Sequence, residues 1–283
     1  MRLLSTRELA DALGVSESSL KRWVDSGKIS ASRTEGGHRR IEISEAMRFI
    51  RETRAPLARP ELLDLPEVAA ARARGGGRLS SFLRDGDSAG ARGWLMSRYL
   101  EGSTIAELAD GPIREAMAGL GELWHHDEGG VFVEHRGTAI CMEAVAQLRS
   151  MIVTAPATAP TAIGGGPAGD PYVLPAQLAA MVITEAGLRA VNLGANTPVG
   201  AFAHAVDQHQ PKLVWMSISL ALAPARARAI SRWLQGLPTT IAVVIGGQQS
   251  RTLGKLPPRA VRASSMADLA SAVVSLLEHQ RAR

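Results

Sequence analysis

The sequence predicts a multidomain chain of the α and α/β classes: a winged helix-turn-helix, a four-helix bundle, and a Rossmann-like (flavodoxin-like) doubly wound parallel sheet. Three observations predict it. Two capped helical segments precede a basic glycine turn within residues 1–54. Helical periodicity then fills residues 78–153. Beyond residue 160 short apolar runs alternate with helical stretches, the order that builds a parallel sheet with crossover helices. A chain of 283 residues can hold two or three small cores, and the expected boundaries are 1–72, 75–154 and 160–283.

The elements follow in order. Leu4-Ser5-Thr6-Arg7-Glu8-Leu9 offers a capping box, Ser5 with Glu8, and a staple, Leu4 with Leu9. Gly14 breaks the first helix. Ser16 caps a second one that runs to Ser26, with Val15 and Leu20 as its staple and Gly27 just past its end. Ile29 to Ile41 gives two short extended runs around Gly36-Gly37, and a further helix starts near Ser44. Pro56, Pro60 and Pro66 with Gly75-Gly76-Gly77 form a stiff, then loose connector that forbids a long continuous helix there. The bundle reads from Leu79/Phe82/Leu83, Trp94/Leu95/Tyr99, Ile113/Met117/Leu120/Trp124, and Val131 through Ile152, with breaks at 85–90, 101–104 and 110–112. After the linker Ala155 to Pro160, strands Ala190–Leu193, Leu213–Ile218 and Ile241–Ile245 alternate with helices at 175–187, 199–209, 224–236 and 266–279. In such sheets ligands bind at the carboxyl ends of the strands.

Composition narrows the function classes. Hydrophobic residues make up 46% and charged residues 21%, ordinary for a globular protein. The net charge is +5, and the basic residues are almost all arginine, whose planar fork suits phosphate. Nucleic acid is one partner that fits; an arginine-rich surface without a partner is the other reading composition leaves open. Cys141 is the one cysteine, so no internal disulfide framework exists, and it reads as a small buried residue in a helix. Arg2 is followed by only two leucines, and the longest apolar stretch, 176–193, is broken by Glu185 and Arg189. A cytoplasmic protein with no membrane span is expected.

The basic residues of the first segment sit where DNA chemistry needs them. A second helix with Ser18, Ser19, Lys21 and Arg22 on its exposed face can enter a major groove. A glycine-hinged loop carrying Arg33, His38, Arg39 and Arg40 can lie along the backbone or reach a minor groove. Trp23, beside Leu20 and Val24, reads as core. The entry Leu4 to Ala10, the Leu20-Lys21-Arg22-Trp23 helix and the Thr34-Glu35-Gly36-Gly37-His38-Arg39-Arg40 wing together resemble the MerR-type winged helix-turn-helix. That resemblance implies a double-stranded DNA operator as partner.

A second pattern is a spacing. Asp170-Pro171-Tyr172-Val173-Leu174-Pro175 is followed by Ser217-Ile218-Ser219 and Gly246-Gly247. This is similar to the cobalamin-binding signature D-x-H-x-x-G, S-x-L, G-G, with Tyr172, Pro175 and Ser219 in place of histidine, glycine and leucine. Upstream, Trp124-His125 and Glu134-His135 form a W-x9-E-H pattern. With the wing, the whole chain resembles the CarH and LitR light-dependent repressors of the MerR family. The resemblance implies adenosylcobalamin held between helical bundle and Rossmann-like domain. Trp124 would cover the adenosyl group, Glu134 would hydrogen-bond its ribose, and His135 would sit beside it. His125 would take the upper cobalt position once light breaks the cobalt–carbon bond. Below the corrin, Asp170 belongs to the loop that carries Tyr172, the second candidate metal ligand. Ser217 and Ser219 would line a slot for the cofactor's tail, and Gly246 and Gly247 would let backbone approach it.

A phenol with pKa about 10 is a poor neutral donor unless cobalt drives its ionisation. Three outcomes stay open on the sequence. Cobalamin binds without a protein lower ligand, keeping its own benzimidazole on cobalt or leaving that position to Tyr172; haem or another tetrapyrrole takes its place, since tyrosine ligates haem; or no cofactor binds. The leading function is a transcriptional regulator, by analogy a repressor, whose homo-oligomeric state is set by adenosylcobalamin and by light. The alternative is a cobalamin-independent regulator whose degenerate sensing domain binds another tetrapyrrole or a protein partner such as an antirepressor. An enzyme, such as a methyltransferase or mutase subunit, is not expected: those modules lack a winged helix, and no substrate domain remains. Tyr172→His should tighten cobalamin binding where the pocket is otherwise intact. An unchanged affinity in equilibrium dialysis would point to a pocket lost elsewhere.

Overall fold

The computed structural model describes residues 3–65, 68, 78–123 and 128–281. Pro66, the Gly75-Gly76-Gly77 connector, Trp124 and His125 lie outside the described residues. The chain divides into two compact units, Met1–Thr104 with Leu108–Val153, and Ile105–Glu107 with Thr154–Arg283.

The first unit opens with β1 (Leu3–Ser5) and α1 (Thr6–Leu13). The capping box forms as expected: the Glu8 amide donates to Ser5 Oγ at 3.1 Å and the Ser5 amide donates to Glu8 Oε2 at 2.7 Å. Helix α2 (Glu17–Asp25) starts at Ser16, whose hydroxyl accepts from the Ser19 amide. Strands β2 (Ser32–Arg33) and β3 (Arg39–Glu42) are antiparallel, and β1 adds to the free edge of β3 with Leu4 opposite Ile41. β1 falls on the segment that the sequence shows only as a helix staple. Helix α3 (Ile43–Thr53) follows directly. Leu4, Leu9, Leu13, Leu20, Ile41 and Met47 are fully buried and hold this part together.

The helical part comprises α4 (Leu79–Asp85), α5 (Ser88–Leu100), α6 (Ile105–Leu108), α7 (Arg114–Leu123) and α8 (Glu128–Arg149). Helices α4, α5, α7 and α8 pack on one another. The break expected at 110–112 is not a break. Ala109–Ile113 is a π turn with Pro112 inside it, and the wider turn takes up the missing amide while α6 runs on into α7. Cys141 is fully buried, and burial pushes its thiol pKa up to about 12, so it serves as core. The first and second halves of this unit touch through Arg51 of α3. Its guanidinium lies 3.7 Å from the Tyr99 ring centroid and donates to the Ser103 carbonyl at 3.0 Å.

The second unit is a five-stranded parallel sheet in the order β5-β4-β6-β7-β8. Its elements are β4 (Thr161–Gly165), α9 (Val173–Glu185), β5 (Arg189–Asn192), α10 (Val199–His209), β6 (Leu213–Ser217), α11 (Pro224–Gly236), β7 (Ala242–Gly246), β8 (Ala260–Arg262) and α12 (Met266–Arg281). Strands β4 and β8 escape the apolar-run criterion, β4 because it ends in glycines and β8 because it is three residues long. Val214, Met216, Val243 and Ile245 share a core with Phe202, Ile230 and Leu234 of α10 and α11. By the two-residue alternation of a strand, Trp215 and Ser217 point to the other face, which α9 and α12 cover.

On that face Gly164 and Trp215 are neighbours in register, and the indole lies across the glycine. A Cβ at position 164 would stand 2.1 Å from the ring. Gly164→Ala is therefore expected to destabilise the protein by about 1–3 kcal/mol through overpacking. A urea midpoint equal to that of the unsubstituted chain would show that the indole moves aside.

Candidate functional site

Two sets of residues carry chemistry. The first surrounds a cleft of about 240 Å³ lined by Ser5, Thr6, Arg7, Glu17, Lys21, Gly37, His38, Arg39 and Arg40. The antiparallel pairing of β2 with β3 folds the wing so that its basic residues face the start of α2. Ser18, Lys21 and Arg22 are exposed on α2, Ser19 is half-buried, and Arg33 and His38 are exposed on the wing. Within α2, Lys21 Nζ sits 2.9 Å from Glu17 Oε1, and Arg22 donates to Ser19 Oγ at 3.2 Å. The hydroxyls of Ser18 and Ser19 each lie 2.9 Å from that of Ser16. Hydrogen bonds from Lys21 and Thr6 hold the Glu17 carboxyl below its usual range, so the cleft keeps one fixed negative charge among its cations. Trp23 is half-buried, with its ring centroid 5.1 Å from that of Phe49, a packing role.

Arg39 differs from its neighbours. It donates from Nη2 at 2.7 Å and from Nε at 3.2 Å to Asp25 Oδ1, at the end of α2. Arg39 thus ties the wing to the helix, and Arg40 remains in the cleft, half-buried. Two residues of this surface are not apparent from the sequence. Arg7, exposed in the first turn of α1, reaches the same cleft, and Asp25 anchors the wing from 14 residues away. Only the folded register of β3 brings either into view.

The second set lies at the carboxyl ends of β4, β6 and β7. Asp170 is 1% exposed, and its carboxylate accepts from three backbone amides: Tyr172 at 3.2 Å, Ser219 at 2.5 Å and Leu220 at 3.3 Å. It therefore braces the loops after β4 and β6. Asn196, also missed by sequence reasoning, accepts from the Gly169 amide at 2.6 Å and fixes the same loop from the far side. Tyr172 is the N-cap residue of α9 and is 53% exposed. Pro175 is the third residue of α9, which starts two residues before the 175 expected from the sequence; proline is tolerated there because first-turn amides have no intrahelical partner. Ser217 ends β6 buried, and Ser219 is half-buried. A Cβ at Gly246 would meet nothing closer than 3.6 Å, so that position is open. At Gly247 φ is +95° and a Cβ would stand 2.3 Å from the Ile218 carbonyl oxygen, so the chain's own loop requires glycine there.

In the bundle, Glu134 is half-buried and accepts from Thr138 Oγ1 at 2.9 Å, while His135 Nε2 lies 3.5 Å from Glu134 Oε2 and is largely exposed. Among the described residues no group of three or more His, Cys, Asp or Glu side chains could hold a metal ion. No described helix is long and apolar enough to cross a membrane.

Comparisons with known proteins match the first segment and the helical bundle. Residues 3–54 match a family described as a helix-turn-helix domain, and residues 77–149 match one described as a B12 binding domain. A monomethylamine corrinoid protein from Methanosarcina barkeri shares the fold, with a TM-score of 0.53 and 14% identity over 70% of this chain and 96% of that one. A cobalamin-binding protein from Desulfitobacterium hafniense is 19% identical over 72% of this chain and 96% of that one, with a TM-score of 0.32. No curated protein matches the sequence significantly.

The wing contacts separate by substitution. Arg33→Ala and Arg40→Ala are each expected to lower the slope of log affinity for duplex DNA against log salt by about one. Asp25→Ala tests Arg39 differently. If Arg39 acts by holding the wing, that substitution weakens DNA binding despite making the protein more basic; stronger binding in the gel shift would instead make Arg39 a direct phosphate ligand.

Proposed function

We propose that this chain, which carries a helix-turn-helix DNA-binding domain and a B12-binding domain, is a B12-sensing regulator of transcription rather than an enzyme. The observation that carries the reading is the pairing itself: a cleft lined by Arg7, Lys21, His38, Arg39 and Arg40 in one segment, and a match to a B12 binding domain in the next. A double-stranded operator supplies the phosphates those groups fit. The finer reading is a repressor whose oligomeric state follows adenosylcobalamin and light. One winged segment touches few phosphates, so operator affinity rests on assembly.

The residues of the α/β unit fit a corrin on its rim. Tyr172, Ser219, Leu220 and Gly247 are accessible there, and the loops bearing them are braced by Asp170. A buried slot beyond Ser217 does not fit a cofactor's tail, because Trp215 occupies that face of β6. When bound, adenosylcobalamin supplies a cobalt–carbon bond that visible light breaks. The chain's part is to hold the ring and to couple its presence to assembly, a shift of population between states of different affinity for the ligand. Glu134 and His135 of α8, with Trp124 and His125, are the residues proposed to face the adenosyl group.

The test is direct. Full-length protein is mixed with adenosylcobalamin in the dark and desalted, and its visible spectrum and elution volume are recorded before and after green light. A retained corrin spectrum and a larger species that shrinks on illumination are the expected results. A colourless protein of unchanged size would overturn the reading.

A further inference from the structure

Trp215 is the largest fully buried side chain among the described residues, and it stands in the middle strand of the sheet two residues from its carboxyl end. Three features of its surroundings belong together. Its ring fills the space left by the absent side chain of Gly164 in the neighbouring strand. It shares a face with Ser217, so it lies beneath the buried serine that ends the strand. Its indole N–H is buried without a hydrogen-bond partner. A buried donor left unsatisfied is costly, so this position uses the volume of the ring and not its polarity. Leucine or phenylalanine would supply a core without that cost; the indole supplies more bulk than either.

We propose that Trp215 closes the inside of the sheet to the nucleotide tail of a corrinoid, so that this protein takes cobalamin only with the tail's benzimidazole kept on its own cobalt. This rests on the B12-sensing reading and names the form of cofactor that the site accepts. The rim supports it independently. A protein ligand below cobalt has a place only when the tail's base has left the metal, and a protein that displaces the base needs room to receive it. Here the slot is filled, and the residue at the ligand position is Tyr172, exposed at the start of α9 with only its amide engaged by Asp170. The Asp170 carboxylate is committed to three amides and to no side chain in this loop. Tyr172 and Trp215 are therefore two parts of one change: without a displaced tail, no replacement ligand is called for. Ser217 and Ser219, expected from the sequence to line a tail slot, border a filled core instead.

The experiment compares adenosylcobalamin with adenosylcobinamide, which lacks the nucleotide tail, on the full chain in the dark. The visible spectrum reports whether benzimidazole stays on cobalt, and equilibrium dialysis reports affinity. The expected result is a bound cobalamin with its benzimidazole still coordinated, and a cobinamide affinity within about tenfold of it. Tyr172→His alone is expected to change neither readout. Combined with Trp215→Gly it should shift bound cobalamin to the histidine-ligated spectrum and raise its preference over cobinamide by more than about tenfold. If the glycine variant does not fold, Trp215→Leu with Tyr172→His is expected to move in the same direction by less. Displaced benzimidazole in the unsubstituted protein, or a strong preference for cobalamin over cobinamide there, overturns the proposal while leaving the B12 reading intact. Failure of both corrinoids to bind overturns the B12 reading, and this inference with it.

Discussion

The Asp170 carboxylate, buried in the loop after β4, is the constraint on which the geometry of the α/β rim depends. It has three backbone amides around it, two of them from the loop after β6, and such charge-assisted bonds are among the stronger ones a protein makes. These bonds hold Ser219 and Leu220 to one course. The same group sets the start of α9 by holding the Tyr172 amide, and thereby sets where the phenol stands. Gly247 completes the arrangement, because the loop after β7 passes so close to Ile218 that a side chain has no room. The loops at the strand ends are thereby held in place above a buried interior.

The first unit follows the opposite logic. Its cleft is lined by flexible cations, and the fixed elements are few: the Glu17 carboxylate between Thr6 and Lys21, and the Asp25 carboxylate beneath Arg39. Exposed pairs of this kind contribute little to stability. Their effect is on direction. Asp25 holds Arg39, and with it the strand that carries Arg40, against the end of α2. Attraction to phosphate remains general, whereas the angle between wing and helix is specific to this sequence.

Local signals in the sequence were enough for the caps of α1 and α2, the wing hairpin and the alternation of strand and helix in the second unit. Each depends on residues within a few positions of one another. What could not be read locally failed for physical reasons. β1 pairs with a strand 35 or more residues away, as Ser5 with Arg40 shows, and β4 ends in glycines that carry no hydrophobic signal. Pro112 marks a π turn because the rest of the helix outweighs one lost hydrogen bond. The candidate site was legible as residue types and spacing, but not as commitments. That Arg39 is held by Asp25, and that Trp215 rests on Gly164, are facts of register between distant strands and helices. Trp124 and His125 lie outside the described residues.

The contact between Arg51 and the end of α5 changes how the DNA-binding segment meets its target. A reading head on a loose tether must give up its freedom to tumble each time it lands, and that loss is subtracted from whatever the contacts gain. Here the guanidinium lies on Tyr99 and is bonded to Ser103, so the last turn of α3 is already moored to the bundle. Much of the orientational entropy is surrendered during folding, before any operator is present. A moored head has less freedom to swivel toward a misplaced groove than a tethered one.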